Sequence, residues 1–151
     1  MTQPLEDDLL FLLYDVARLM RVRTDQHARQ TGMTRAQWVL LAWLERRPGI
    51  TQNDLAALVE VEPISIGRLV DRLEARSLVE RRLDPRDRRV RRLHLRAAAS
   101  PLLEIIHAYR ARLSTLMTEG IDEADVTRVA SALARMKSNI LDEKTHRAET
   151  G

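Results

Sequence analysis

Apolar residues recur at helical spacing near both ends of the chain. Near the N-terminus they predict a first helix over about residues 5–30. Near the C-terminus two stripes alternate steps of three and four residues, from Leu102 to Leu116 and from Val126 to Ile140. This spacing favours long helices that pack against other helices. The apolar face of the first helix consists of Leu9, Leu12, Leu13, Val16, Leu19 and Met20.

The centre of the chain has a different pattern of shorter elements. Thr34 and Gln37 have the spacing of a capping box that opens a second helix, and Pro48 with Gly49 ends it. Two short helices joined by a tight turn are then predicted over residues 51–59 and 63–76. Those proportions are typical of a helix-turn-helix unit. The residues expected to pack between its helices are Leu55, Ala56, Ile66, Leu69 and Val70.

A basic β-hairpin is predicted directly after this unit. Strands over residues 78–83 and 90–95 flank a turn at Asp84-Pro85. Eight arginines and two aspartates lie between Arg81 and Arg96, a local charge of +6 against +3 for the whole chain. Charge of one sign on a hairpin beside a short helix favours binding to duplex DNA over an ordinary solvated surface. A helix-turn-helix followed by such a hairpin is a winged helix.

The second short helix of this unit would enter the major groove with its first turn. Arg68 could form a bidentate contact to guanine, and Ser65 could contact a base or a phosphate. For Arg72 and Arg76, pairing with acidic neighbours on the helix surface is an equally good explanation. The candidate DNA-binding residues are Thr51, Gln52, Ser65, Arg68, Arg72, Arg86, Arg88 and Arg89.

Composition supports a mostly α-helical protein with a small β-hairpin wing. The 151 residues are 44% hydrophobic and 3% aromatic, with five glycines and five prolines. We predict a single domain over residues 1–151, with a winged helix-turn-helix lobe at about 34–96. The helices at about 5–31 and 97–147 would form a dimerisation layer, because their apolar stripes exceed what one small chain readily covers. The alternative is that both stripes are buried inside one monomer.

Several function classes lack the residues that they need. The absence of cysteine excludes disulfides, thiolate zinc sites and iron–sulfur clusters. No histidine has a partner at metal-ligand spacing, and no phosphate loop or nucleophile motif is present, so we predict no enzyme, no catalytic residue, no metal and no cofactor. No apolar run of membrane-spanning length and no signal peptide is found, so a cytoplasmic protein without membrane contact is expected.

Residues 34–95, from TRAQWVLLAWLERRPGITQNDLAALV through ISIGRLVDRLEARSLVERRLDPRDRRVRRLHL, resemble the central domain of the MarR (multiple antibiotic resistance regulator) family. The hairpin matches the family pattern D-x-R-x-x-R as Asp87, Arg89 and Arg92. The resemblance implies a homodimer that binds a pseudo-palindromic operator as a repressor or, less often, an activator. It also implies that Arg89 enters a minor groove, that Asp87 orients it, and that Asp71 pairs with Arg89 when DNA is absent.

The chain departs from the family pattern at two positions. Ser77 stands where the family commonly has glycine, so the end of that helix must accept a non-glycine residue. Arg96 stands where the family commonly has threonine, so Ser100 and Pro101 could open the following helix instead.

The resemblance further implies a small-molecule effector, since family members often respond to aromatic or phenolic acids. The candidate ligand-binding residues are Tyr14, Arg18, His27, Trp38 and Trp43. The competing explanation is that the two tryptophans, at helical spacing, are core residues. The sequence thus predicts a DNA-binding transcriptional regulator, a homodimeric repressor relieved by such a ligand. The alternative is a protein-interaction module whose arginine-rich hairpin binds nucleic acid without sequence preference.

Overall fold

The computed structural model describes residues 8–59 and 61–149, and for Pro63 and residues 144–149 it describes the backbone alone. The predicted mostly helical fold with a single hairpin in this part of the chain is confirmed. In chain order the elements are α1 (Leu9–Arg29), α2 (Arg35–Arg46), α3 (Gln52–Val59), α4 (Pro63–Ala75), β1 (Val79–Leu83), β2 (Arg91–Leu95), a 3-10 turn (Ala97–Ala99), α5 (Ser100–Met117) and α6 (Glu123–Glu149).

Contacts divide the chain into two compact units, one ending at His107 and the other beginning at Ala108. The first unit contains α1 to α4, the hairpin and the start of α5. The second contains the rest of α5 and α6. The prediction of one domain stays a prediction.

Side-chain caps fix where the first two helices begin. Asp8 is extended, and its Oδ1 accepts hydrogen bonds from the backbone N–H of Leu10 and Phe11 at 2.9 and 3.1 Å. The first helix therefore begins at Leu9 rather than at the predicted residue 5, which lies outside the described residues. The predicted capping box at Thr34 and Gln37 is confirmed, since each side chain accepts a hydrogen bond from the other's backbone N–H.

The core of the first unit lies where α2 meets α3, α4 and the hairpin. The helix-turn-helix pattern places one apolar face of α4 inward, and Ile66, Val70 and Leu73 on that face have no exposed surface. Burial of such side chains is the main favourable term in folding. The other fully or almost fully buried apolar side chains of this core include Trp38, Leu40, Leu41, Leu44, Leu55, Ala56, Val79 and Leu93.

The hairpin is extended on one side by the loop that follows α2. Strands β1 and β2 pair antiparallel, and the Gly49 N–H donates to the Leu93 carbonyl at 2.9 Å while the Leu93 N–H donates to the Ile50 carbonyl at 3.0 Å. Gly49 has a φ of 79°, and a Cβ there would lie 3.3 Å from Cε1 of His94. Glycine thus lets the loop approach the strand closely.

The entry to α5 follows the expectation drawn from Arg96. Arg96 caps only the 3-10 turn Ala97–Ala99, and its side chain makes no capping hydrogen bond. The α-helix proper begins at Ser100 with Pro101 in its first turn.

Both units carry large apolar side chains that are exposed. In α1 the exposed fractions reach 63% at Leu10 and 49% at Leu19, and in α6 they reach 61% at Ile140. None of the described helices combines the length and the apolarity needed to cross a bilayer.

Ser77 ends α4 in a conformation that favours glycine. Its φ is 57°, the left-handed region, and its N–H donates to the Glu74 carbonyl at 2.9 Å. A side chain in this region clashes with the backbone. We expect Ser77→Gly to raise the free energy of unfolding by about 0.5–1 kcal/mol, the relief of strain exceeding the extra entropy of the unfolded chain. Chemical denaturation monitored by circular dichroism measures this change.

Ser131→Gly is the matched control, because Ser131 is exposed in the interior of α6. There glycine should lower stability by about 0.5–1 kcal/mol. A destabilised Ser77→Gly variant would show that the left-handed serine is not strained.

Candidate nucleic-acid interface

The outward face of α4 presents polar side chains opposite the buried face. Ser65, Arg68 and Arg72 are exposed, and none of them has a hydrogen bond or an ion pair within the described part of the chain. The competing explanation for Arg72 and Arg76 was pairing with acidic neighbours on the helix surface. Such pairing is not found for either residue in the described part of the chain, and Arg76 donates a hydrogen bond to the Gly32 carbonyl at 3.5 Å. The face is free to contact a partner.

Two of the predicted DNA-binding residues, Thr51 and Gln52 at the start of α3, make hydrogen bonds within the fold. Thr51 Oγ1 accepts the backbone N–H of Asp54 at 3.1 Å and so caps α3, while the Thr51 backbone pairs with Arg92 of β2. Gln52 Oε1 accepts a hydrogen bond from Nε of Arg81 at 3.1 Å. Both side chains are half-buried, so the structure gives each of them a packing role beside any contact to DNA.

Arg81 joins the hairpin to both helices of the helix-turn-helix. Besides Gln52, its guanidinium donates to the Gly67 carbonyl at 3.1 Å and pairs with Asp71 at 2.7 Å and Glu74 at 3.4 Å. Its side chain is only 21% exposed. A guanidinium so enclosed needs several charge-assisted partners, and this one has them.

Asp71 is therefore not the partner of Arg89 that the family resemblance implied. In the free chain it pairs with Arg81, on the strand next to α4, and Arg89 pairs with Asp87. The pairing of Arg81 with Asp71 has a geometric cause. Arg81 shares the inward face of β1 with the buried Val79, since side chains two residues apart in a strand point the same way.

Asp84 organises the turn of the hairpin. Its Oδ1 accepts the backbone N–H of Arg86 at 2.7 Å and of Asp87 at 3.1 Å, and its Oδ2 accepts Nε of Arg92 at 2.5 Å. Arg92 also donates to the Gly49 carbonyl at 2.8 Å. The hydrogen bond from the Arg86 backbone, followed by that from Arg92, lowers the pKa of Asp84 below its ordinary value of 3.8, so this carboxylate is charged at neutral pH.

Asp87 and Arg89 pair at the tip of the turn. Oδ1 of Asp87 accepts both the backbone N–H and Nε of Arg89, at 3.0 and 3.1 Å, and its pKa is lowered chiefly by the Arg89 side chain. The Arg89 side chain is 90% exposed all the same. This geometry fits the predicted orienting role of Asp87, which stays a prediction.

Two residues on the outer face of the hairpin also titrate at shifted values. A hydrogen bond from Arg82 lowers the pKa of Glu80. Burial, followed by the charge of Arg82, lowers the pKa of His94, so its ring is mainly neutral at pH 7.

The eight arginines of the hairpin region thus fall into two groups. Four have carboxylate partners, namely Arg81, Arg82, Arg89 and Arg92. For the other four no ion pair is found in the described part of the chain, and all are exposed, namely Arg86, Arg88, Arg91 and Arg96. The hairpin region keeps its net charge of +6, but half of its arginines are already in ion pairs within the fold.

A cleft of about 340 Å³ separates the hairpin tip from the start of α3. Residues 51–54 line one side and residues 89–91 line the other. The predicted DNA-binding residues Thr51, Gln52 and Arg89 therefore belong to one surface.

The five candidate ligand residues are not all of one kind. Trp38 is 2% exposed, donates from Nε1 to Thr31 Oγ1 at 3.1 Å and meets the His27 ring edge-on with centroids 6.1 Å apart. This is the core position of the competing explanation. Trp43 is half-buried, with the Arg47 guanidinium 5.6 Å from its ring centroid.

The two candidates on α1 lie at the surface. Tyr14 is 76% exposed, and Arg18 pairs with Asp15 at 2.5 Å. Among the five, the rings of His27 and Trp38 contact each other. A ligand role for these residues stays a prediction.

The sequence analysis counted Arg81 only as part of the basic charge. It placed Asp84 in the turn and Arg92 in the family pattern but assigned no contact to either side chain. A signal was available for Arg81, because strand alternation from Val79 places it on the inward face. For Asp84 the position before Pro85 at the start of a turn favours capping of the following backbone N–H groups. The partner of Arg92 has no comparable sequence signal.

Residues 31–90 match the model of the MarR family. Over these residues the chain is similar to the MarR family, and its fold is that of a winged helix-turn-helix. The crystal structure of MarR superposes with a TM-score of 0.83 at 24% identity, over 97% of this chain and 99% of that one. The transcriptional regulator SlyA gives 0.80 at 23% identity, over 90% and 96%. A MepR–DNA complex from S. aureus gives 0.75 at 22% identity, over 89% and 98%.

The predicted fold is therefore confirmed, and the predicted resemblance to the MarR family is found over residues 31–90. Proteins of the MarR family are transcription regulators and not enzymes, so the matched region is similar to part of a regulator. In this winged helix-turn-helix, the hairpin of β1 and β2 is the wing, and α4 is the helix predicted to enter the major groove, the recognition helix.

The two groups of arginines should respond differently to substitution. Arg81→Ala removes bonds that join the wing to α3 and α4, so we expect the free energy of unfolding to fall by about 1–3 kcal/mol. Arg86→Ala removes an exposed arginine without an ion pair and should change stability by less than about 0.5 kcal/mol. Thermal and denaturant unfolding of the two variants measure the difference. Equal stabilities would mean that the contacts of Arg81 are no stronger than its contacts with water.

Proposed function

We propose that this protein is a sequence-specific double-stranded DNA-binding transcriptional regulator, a homodimeric repressor in the cytoplasm that is relieved by a small aromatic or phenolic ligand. The observation that carries the proposal is that some arginines are bonded within the fold while the polar face of α4 is left exposed. Arg81 holds the wing against α4, and Arg92 ties it to the loop that follows α2, while Ser65, Arg68 and Arg72 on α4 are left exposed and unpaired.

The exposed α4 face has the chemistry that base recognition needs. Arg68 lies in the first turns of the recognition helix, where side chains contact base edges in the major groove. A guanidinium can donate two parallel hydrogen bonds to guanine. The MepR structure similar to this chain is a complex with DNA, which supports the same use of the fold.

The wing tip has the chemistry that phosphate and minor-groove binding need. Arg86, Arg88 and Arg89 are exposed there, and Arg89 is held by Asp87 in an ion pair at the surface. Arginine in a narrow minor groove is attracted by the enhanced negative potential of the groove. Phosphate contacts by the remaining arginines would fix the register of the domain on the duplex.

The homodimer is supported by the apolar side chains that each unit leaves exposed. Folded monomers rarely expose so many large apolar side chains close together, and a second copy would cover them. The exposed stripe on α1 includes Leu9, Leu12, Val16 and Leu19, and that on α6 includes Val129, Leu133 and Ile140.

Relief by a ligand follows from the family resemblance. Of the candidate residues, His27 and Trp43 are half-buried aromatic side chains, and Arg18 could bind the carboxylate of an aromatic acid. Arg18 would then exchange its present partner, Asp15, for the carboxylate of the ligand.

DNA binding is tested with the duplex that the wild-type protein selects from a randomised library. We expect the logarithm of the binding constant to fall against the logarithm of salt concentration by about 0.9 for each phosphate neutralised. Arg68→Ala should cost about 1–3 kcal/mol and relax the preference at one position of each half-site. Arg89→Ala should weaken binding without changing that preference, and Asp87→Ala should do so more mildly. Fluorescence anisotropy on the selected duplex and its single-base variants measures each effect.

Arg110 is the charge-matched control, since it is exposed on α5 outside the winged lobe. Arg110→Ala should leave affinity almost unchanged. If it is as damaging as Arg89→Ala, the arginines act as diffuse charge. Binding without any sequence preference would favour the alternative of a protein-interaction module.

The dimer is tested by light scattering during size exclusion at micromolar concentration. We expect the wild-type protein to elute as a dimer and Leu12→Glu to shift it toward monomer, because a charge would be buried at the interface. Gln26→Glu adds the same charge at another exposed position of α1 and should remain a dimer. A wild-type monomer would contradict the proposal.

A further inference from the structure

Ile64 is an apolar side chain in a place where the fold does not bury it. It is the second residue of α4 and is 72% exposed. Across the described residues of the winged lobe, the only other exposed large apolar side chain is Leu83 of the wing, at 54%. Exposure is expected from the helix geometry, since the buried face of α4 begins at Ile66, and a residue two positions away lies on the opposite side.

The position of Ile64 on α4 places it beside the polar side chains of the recognition face. Arg68 follows Ile64 by four residues, so both lie on one stripe of the helix, about 6 Å apart along its axis. Ser65 adjoins them and is exposed as well. The first turn of a recognition helix faces base edges in the major groove. An isoleucine here cannot donate or accept a hydrogen bond with a base.

One apolar group is available on the base edges of the major groove, the C5 methyl group of thymine. We infer that Ile64 is a specificity-determining residue that packs on a thymine methyl within about two base pairs of the base contacted by Arg68. The contact buries apolar surface on both sides and is absent when cytosine or a purine takes that place. The inference rests on the proposed DNA binding through α4.

Replacement of thymine by uracil tests the contact, because it deletes the methyl group and leaves the hydrogen-bonding edge unchanged. The probe is the duplex selected by the wild-type protein, made with uracil at one thymine position of both half-sites at a time. We expect one such position at which uracil weakens wild-type binding about fourfold per half-site, the effect of burying one methyl group. Ile64→Ala should bind the thymine and uracil duplexes equally, and Ile64→Val, which keeps a branched side chain, should retain part of the difference.

Leu83→Ala is the control for loss of an exposed apolar side chain. The thymine methyl is not displayed in the minor groove, so this wing variant should keep the full thymine-to-uracil ratio whatever its affinity. Since Ile64 is exposed, Ile64→Ala should also keep the unfolding midpoint and the oligomeric state of the wild-type protein.

The outcomes separate this inference from the proposed function. If the wild-type protein selects no duplex, the proposed function fails. If it binds a selected duplex but is indifferent to uracil at every thymine, or if Ile64→Ala keeps the same ratio, the inference is overturned while DNA binding stands. A change of oligomeric state in Ile64→Ala would also overturn it, by assigning Ile64 to a protein contact.

Discussion

The arrangement of the winged lobe depends on one partly enclosed guanidinium. Arg81 on β1 reaches Gln52 of α3 and the Gly67 carbonyl, Asp71 and Glu74 of α4. A charge this poorly exposed is tolerated only when most of its donors find acceptors, and here α3 and α4 together supply them. The strand can therefore sit in one place relative to the two helices. Every later feature of the surface, from the wing tip to the recognition face, takes its position from that constraint.

The basic hairpin has arginines of two kinds. The paired ones, such as Arg92 against Asp84, set the shape of the hairpin, and exposed ones such as Arg88 carry its field outward. The carboxylates of the hairpin lower its net positive charge. They reduce the repulsion among arginines and fix backbone N–H groups, so the free cations start from a defined geometry and lose less entropy on binding.

The sequence predicted the elements well because their causes are local. Helical period, the capping box at Thr34 and the turn residues at Gly49 each act over a few positions, and the structure has them. It predicted side-chain partners poorly. Asp71 was expected to pair with Arg89, and in the structure it pairs with Arg81. A long flexible side chain chooses among carboxylates that several elements bring together, so its partner depends on tertiary distances. Exposed residues such as Ser65 and Arg68 are a simpler case, since helix phase alone places them.

The ion pair between Asp84 and Arg92 limits which parts of the wing must keep their sequence. It closes the hairpin at the base of the turn, and Arg92 ties that base to the Gly49 carbonyl. The stretch from residue 85 to residue 91 is thereby anchored at both ends by groups outside it. Side chains within this stretch can be substituted without removing the contacts that anchor its ends. Substitutions between residues 85 and 91 can thus change the reach and the charge of the wing while the contacts of Asp84 and Arg92 hold its base.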